Sequence, residues 1–382
     1  MKAGLPVGRT VVTANEAAAI GVTLARVQAI ACYPITPQTL IVERLAELYA
    51  GRDDAEFANL ESEHSMFGYA VAASRTGVRA FTATSSQGLL YAHEQLHRAS
   101  RERVPLVAVN VNRSVFAPWS LEPDLSDSLA QRDTGWIQLY CSSAQEVLDS
   151  VLCAYRLAER LLLPVLVCLE GFILSHTAEV VDVPAQEEVD RFLPPFEPPA
   201  DWLLDPAVPS VFSGLPDPSA YAAFQRNVAD ALDAVPEAFA EIAAEFEETF
   251  GRPKASALEP SGDPQADTAL VVMGTIGDTA RELLEDGEDV RLVRVHLYRP
   301  FPGAELAEAL AGAEHVVVVD RAAAFGALAP LGADVRALGV DALDAVCGVG
   351  GTDVTPDTLR RAIDEARAGH VPAEPVWIPE EV

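Results

Sequence analysis

Lysine is almost missing from this chain. Lys2 and Lys254 are the only two, so the other cations are arginine, and 57 acidic residues face 27 basic ones. A formal charge of −30 disfavours nucleic acid and anionic membrane surfaces as partners. Such a composition suits a GC-rich or salt-adapted source without choosing between them. Cysteine is scarce too. Cys32, Cys141, Cys153, Cys168 and Cys347 are scattered, with no Cys-x-x-Cys pair. An odd set of that kind points to a reducing compartment and to no metal cluster or zinc knuckle in this chain. No apolar run reaches membrane-spanning length, since Leu161–Leu169 is broken by Pro164 and soon meets Glu170. Met1–Val12 lacks the apolar core of a signal peptide. The expected location is the cytoplasm.

What is present is a globular composition. Apolar residues make up 49% of 382, enough for two domains rather than one. Strand-like and helix-like stretches alternate. Thr10–Thr13 enters a strand, Asn15-Glu16 caps a helix, and Val27–Tyr33 reads as a strand broken by Pro34-Ile-Thr-Pro37. The pattern continues as helix 38–49, strand 56–60, helix 63–75, strand 78–82, helix 87–99 and strand 106–110. Strand 137–141, helix 144–160 and strand 165–169 complete the unit. Such alternation predicts an open, largely parallel α/β sheet.

From about residue 181 prolines cluster, at 194–195, 198–199 and from 206 to 218, and predict an extended crossing. Residues 221–250 read as a long acidic helical stretch interrupted at Pro236. The expected organisation is a first domain over 1–250 including that extension, a linker over 251–266, and a smaller α/β domain over 267–382.

The stretch Asn59–Leu90 carries the strongest chemical signal. Glu61 and Glu63 lie where an extended segment turns into a helix, and Met66, Phe67, Tyr69, Ala70 and Val71 make that helix too apolar to be exposed. A carboxylate opening a buried helix meets free N–H groups and the positive end of the dipole. The next strand runs into Thr84-Ser85-Ser86-Gln87-Gly88, a loop of short donors. Strand, polar turn and helix is where open α/β folds place ligands. Arg113 is suited to holding a carboxylate, with a structural ion pair equally open from the residues alone. Thr36 lies between two prolines, whose restricted backbone would present its hydroxyl in one place, or simply make a rigid turn.

Two other motifs have bland readings. His93-Glu94-Gln95-Leu96-His97 is a formal His-Glu-x-x-His that could serve a zinc hydrolase, but no third ligand follows it. Gly348-Val-Gly350-Gly351 is expected to be a tight structural turn.

Together these blocks resemble one family. Glu61-Ser-Glu-His64, Thr82-Ala-Thr-Ser-Ser-Gln-Gly-Leu89 and Tyr33-Pro-Ile-Thr-Pro-Gln-Thr39 are similar to the α subunit of pyruvate:ferredoxin oxidoreductase and its 2-oxo acid relatives. Val111-Asn-Arg113, Ser126-Asp127, Gln131–Leu139 and Tyr298-Arg-Pro-Phe-Pro302 extend the likeness in order along nearly the whole chain. The resemblance implies a thiamine diphosphate pyrimidine-binding domain followed by a transketolase-C-terminal-like domain. In it Glu63 would hydrogen-bond the aminopyrimidine ring and promote its imino tautomer. Arg113 would bind the substrate carboxylate, Thr36 the polar end of the oxo acid, and Ser86 and Gln87 would line the cofactor pocket. Coenzyme A would be the co-substrate.

The chain lacks a Gly-Asp-Gly…Asn motif and ferredoxin-type cysteines. The resemblance therefore implies a β subunit holding Mg2+ and the diphosphate. It also implies [4Fe-4S] clusters on ferredoxin-like γ or δ subunits, or on ferredoxin itself, in a hetero-oligomer with two α–β pairs. The chain departs from the family at Met66, Phe67 and Tyr69, which are bulkier than usual, at Glu122-Pro-Asp-Leu, and at Glu170, where aspartate is usual. The first two departures would reshape the acyl pocket and put the choice of 2-oxo acid in question. A non-catalytic α-like subunit is the alternative to an active one.

Overall fold

The computed structural model describes residues 5–209, 211, 214–254 and 256–379. Lys2 and the start of the stretch read for a leader, part of the 206–218 proline run, and residues 380–382 lie outside the described residues.

The chain opens with β1 (Gly8–Thr13), α1 (Ala14–Leu24), β2 (Ala29–Cys32), α2 (Thr39–Tyr49), β3 (Glu56–Asn59), α3 (Glu63–Ser74) and β4 (Ala80–Thr84). It continues with α4 (Ser86–Tyr91), α5 (His93–Arg101), β5 (Val107–Asn112), α6 (Ser126–Leu129), β6 (Ile137–Tyr140), α7 (Ala144–Leu161) and β7 (Val165–Glu170). A crossing segment follows, built from β8 (Ala178–Val183), α8 (Gln186–Phe192), α9 (Pro218–Asp233) and α10 (Val235–Phe250). The second unit comprises β9 (Leu258–Gly262), β10 (Thr268–Met273), α11 (Ile276–Glu285), β11 (Arg291–Val295), β12 (Leu297–Arg299) and α12 (Gly303–Leu310). It closes with β13 (His315–Asp320), α13 (Pro330–Ala337), β14 (Ala342–Val346), α14 (Pro356–Arg367) and β15 (Val376–Trp377).

Strands β4, β5, β6 and β7 are buried at every residue, as expected where helices cover both faces of a parallel sheet. The first sheet runs β12-β6-β7-β5-β4-β2-β3, all parallel except the edge strand β12. The chain passes from β2 to β3 on one side, then returns to place β4 on the other. A crevice therefore opens beyond the carboxyl ends of β2 and β4, where such sheets bind ligands. The second sheet runs β15-β14-β13-β10-β11-β9.

The two sheets share one apolar layer. Phe67, Leu96 and Trp136 of the first unit belong to the same buried cluster as Met273, Tyr298 and Leu306 of the second. Each such side chain contributes about 1.5–3 kcal/mol on burial.

Several expectations shift. The strand expected over 78–82 lies at 80–84, which moves Thr84 from the loop to the strand end. The helix expected over 87–99 breaks at Ala92 into α4 and α5. The cap of α1 is Thr13, in a reciprocal pair with Glu16, while buried Asn15 donates to the Pro37 carbonyl at 2.9 Å. The acidic stretch divides at Ala234, so Pro236 falls in the first turn of α10, where a missing N–H costs nothing. Within 251–266, expected as a linker, Leu258–Gly262 forms β9 and pairs antiparallel with β11. β12 reaches back from the second unit to extend the first sheet.

Candidate active site at the strand ends

Four strand ends deliver the site. Glu63 follows β3 as the first residue of α3. Ser62 caps that helix, accepting from the Ser65 N–H, and this fixes where the Glu63 side chain starts. Glu63 is 7% exposed, and among the described residues none donates a hydrogen bond to its carboxylate. Gly88, in the first turn of α4, presses against it. A Cβ there would lie 2.5 Å from Glu63 Oε1 and 2.5 Å from Thr84 Oγ1. The Thr84 hydroxyl is buried without a hydrogen-bond partner. A buried carboxylate and a buried hydroxyl, both unengaged and flanked by a glycine whose replacement would displace them, form a cradle for a flat polar group.

Arg113 forms the second half of the site. It is 4% exposed at the end of β5, and burial lowers its pKa from the ordinary arginine value. Its Nη2 donates to Gln87 Oε1 at 2.7 Å and its Nη1 to the Thr36 carbonyl, while Nε is buried without a partner. No carboxylate pairs with this guanidinium among the described residues. Asp127 favours its charge only from beyond contact distance, and a buried cation without a contacting anion is costly unless one completes it. The ring of Trp119 lies 6.0 Å away.

Asp127 holds the two strand ends in place. It accepts from the backbone N–H groups of Ser86 (2.8 Å), Ser128 (2.7 Å) and Arg113 (3.2 Å), and from the side chains of Asn110 (2.9 Å) and Asn112 (2.7 Å). Burial pushes its carboxyl up to about 6, although these bonds favour the anion. The bond to Ser86 N–H supports a left-handed residue, φ 54°, at the start of α4. Sequence reasoning, in which Ser126-Asp127 enters as part of the resemblance, missed Asp127 as the hub. It also missed Thr84 and Gly88 as lining groups; the run of short polar residues after a strand was their available signal.

The expected residues separate into two groups. Glu63, Gln87 and Arg113 converge through consecutive residues of α4, since Gln87 touches Arg113 and Gly88 touches Glu63. Thr36 contributes its carbonyl to Arg113, while its side chain lies in an exposed residue. Ser86 is fully buried, with its hydroxyl spent on the Ser114 carbonyl and on Gln87 Oε1 (2.7 Å), so it shapes the loop rather than presenting a free donor. Met66 and Phe67 are buried in the core, Phe67 against Trp136 at 6.1 Å between ring centroids, and Tyr69 is partly buried beside them.

Glu170 has a structural task as well. It pairs with Arg321 at 2.9 Å and accepts from Thr275 N–H (2.7 Å) and Oγ1 (2.8 Å), joining the two sheets. The Gly348–Gly351 turn is structural too: Gly351 abuts Glu122, and Ser120 Oγ donates to the Gly350 carbonyl at 3.0 Å. His93 and His97 are neighbours, but Glu94 contacts His64 at 3.4 Å, and no third ligand joins them among the described residues. The arrangement of a zinc hydrolase is not assembled there.

Comparison with known proteins gives the family. The model of the pyruvate flavodoxin/ferredoxin oxidoreductase thiamine diphosphate-binding domain covers residues 20–244, and that of pyruvate:ferredoxin oxidoreductase core domain II covers 266–359. The chain belongs to the pyruvate flavodoxin/ferredoxin oxidoreductase family. Within this family it is 42% identical to the pyruvate synthase subunit PorA of Methanothermobacter thermautotrophicus, over 92% of this chain and 94% of that one. It is 40% identical to the ketoisovalerate oxidoreductase subunit VorA of Pyrococcus horikoshii, over 94% of each. A solved 2-oxoglutarate:ferredoxin oxidoreductase from Magnetococcus marinus superposes with a TM-score of 0.76 at 19% identity. That match covers 94% of this chain and 66% of the other, and it supports the fold. The chain is an oxidoreductase subunit of this family. No helix among the described residues is long and apolar enough to cross a membrane.

Proposed function

We propose that this chain is the α subunit of a thiamine-diphosphate-dependent 2-oxo acid:ferredoxin oxidoreductase. The proposed reaction converts pyruvate, coenzyme A and oxidised ferredoxin to acetyl-CoA, carbon dioxide and reduced ferredoxin. The carrying observation is the Glu63 carboxylate, buried at the head of α3, unbonded, and pressed by Gly88.

These residues fit an aminopyrimidine. Glu63 would accept from, or protonate, a ring nitrogen, and the orphaned Thr84 hydroxyl would face the same group. When bound, the cofactor supplies the electron sink for decarboxylation of the 2-oxo acid. The chain's own part is positional and electrostatic. Arg113, with no carboxylate in contact with its guanidinium among the described residues, would hold the substrate carboxylate, with Gln87 and the Thr36 carbonyl fixing the direction of its fork. Glu63 would hold the proton inventory of the aminopyrimidine in a dry site.

The chain has no diphosphate motif and only buried, free cysteines. A β subunit carrying Mg2+ and the diphosphate, and ferredoxin-like subunits or ferredoxin carrying [4Fe-4S] clusters, would complete the enzyme in the cytoplasm. Pyruvate is taken as substrate because relatives named pyruvate synthase recur among the similar chains. The test is viologen reduction by the co-purified complex, offered pyruvate, 2-oxobutyrate, 2-oxoglutarate and branched 2-oxo acids with coenzyme A. Activity with pyruvate that disappears in Glu63→Gln supports the reading. Activity only with branched acids would reassign the substrate, and silence across the panel with cofactor and clusters bound would overturn the enzymatic role.

A further inference from the structure

His93 and His97 stand one turn apart on α5, so their side chains share a face of the helix. Their rings meet edge to face, 4.7 Å between centroids, with the two Nε2 atoms 3.2 Å apart. One arrangement of ring protons satisfies every partner of the two rings. Gln131 Nε2 donates to the Asp127 carbonyl at 3.3 Å, which turns Gln131 Oε1 toward His93, and Oε1 can only accept. His93 therefore carries its proton on Nδ1, donating at 2.6 Å, and its Nε2 lone pair faces His97. On the other ring, Arg101 donates to His97 Nδ1, so His97 Nε2 carries the proton that bridges to His93 Nε2.

We propose that His93 and His97 form a chelating pair for a borderline divalent transition metal, Zn2+ or Ni2+ in class, on the exposed face of α5. Metal–imidazole bonds of about 2.0–2.1 Å at a tetrahedral angle place two nitrogens about 3.3 Å apart. The observed 3.2 Å, occupied here by a hydrogen bond between the rings, is close to that spacing, so chelation requires the rings to turn but not the helix to move. Neutral imidazoles favour such ions over Mg2+ or Ca2+. His93 already has the outer-sphere partner that metal-binding histidines use, a hydrogen bond from Nδ1 to an oxygen. His97 is held toward its neutral form by burial, by Arg101 and by His93, while the carboxylate of Asp133 acts on it in the opposite sense. Water would fill the remaining coordination positions, because no third ligand converges among the described residues. The pair is a surface chelate, separate from the chemistry at Glu63 and Arg113.

Coordination at His97 Nε2 moves that ring's proton to Nδ1, where it would oppose the Arg101 N–H. Arg101, on the exposed side of α5, must swing aside. The native contact therefore competes with metal, and this gives the test a second direction.

The tag-free full chain would be titrated with Ni2+ by calorimetry in excess Mg2+, which saturates nonspecific sites on the acidic surface. One Ni2+ site is expected, weakened at least about tenfold by His93→Ala and by His97→Ala, since each loses the effective concentration of the paired ligand. Arg101→Gln should bind more tightly than wild type. Alanine suits a helix, so both alanine variants should keep the wild-type unfolding midpoint. Equal Ni2+ affinity in wild type and His97→Ala, or weaker binding in Arg101→Gln, would overturn the proposal.

Discussion

Gln87 Oε1 accepts a 2.7 Å hydrogen bond from Arg113 Nη2, and the next residue, Gly88, lies against the Glu63 carboxylate. Two consecutive residues at the start of α4 thus set the spacing between a buried acid and a buried cation from different strand ends. Displacement of this turn should disturb both groups at once.

Glu63→Gln should lower kcat at least about 10²-fold, the usual size of a lost acid–base role, with little change in the unfolding midpoint. Gly88→Ala should act in the same direction, because its Cβ would fall 2.5 Å from Glu63 Oε1. Steady-state rates and thermal unfolding of both variants check this; a Gly88→Ala enzyme with wild-type kcat would refute the cradle.

Arg113→Met should raise KM for the 2-oxo acid by about 10- to 100-fold, as expected when a charge-assisted hydrogen bond to a carboxylate is removed. The KM for coenzyme A should stay unchanged. An equal rise in both constants would mean that Arg113 supports the site without touching substrate.

The Asp127 carboxyl is raised from 3.8 to about 6 by burial. The native state then holds this proton more tightly than the unfolded chain, so protonation favours folding. The contribution of Asp127 to stability should fall as pH rises from 3.8 to about 6 and level off above that. Asp127→Asn should remove this slope and lower stability at neutral pH by about 1–3 kcal/mol, because an amide nitrogen would face donors. Denaturant unfolding across that pH window measures both effects.

Glu146 carries the opposite sign. Burial opposes its ionisation, but His296 where it is protonated, and Arg294 and Lys254 throughout, hold it down at about 2. Arg294 of β11 donates to it at 2.7 Å, tying α7 to the second sheet. The stability it contributes should be complete above pH 4.5 and lost as pH falls from there toward 2. Glu146→Gln should flatten acid unfolding in that range.

Glu170→Asp restores the residue usual in the family but shortens the reach to Arg321 and Thr275. It should destabilise the chain by up to about 3–5 kcal/mol, the range for breaking a buried pair, and leave the order of preference among 2-oxo acids unchanged. A changed preference in the substrate panel would place Glu170 in the acyl pocket instead.

Local patterning determined much of this protein. Apolar strands alternating with helices made the parallel sheets legible, and the carboxylate before an apolar helix marked Glu63. Arg113 was visible as a strand-end cation, but its lack of a contacting carboxylate among the described residues was not, because the sequence holds more than twice as many acids as bases. The tertiary structure decided the rest. Hydrogen bonds between groups up to 105 residues apart made Glu170 a clamp between the sheets, Asp127 a hub and the Thr36 carbonyl an acceptor for Arg113. β12 joined the first sheet although it lies in the second half of the chain, since an edge strand pairs with whichever backbone the fold brings beside it. Such choices depend on distances between remote segments, and periodicity along the chain records only near neighbours.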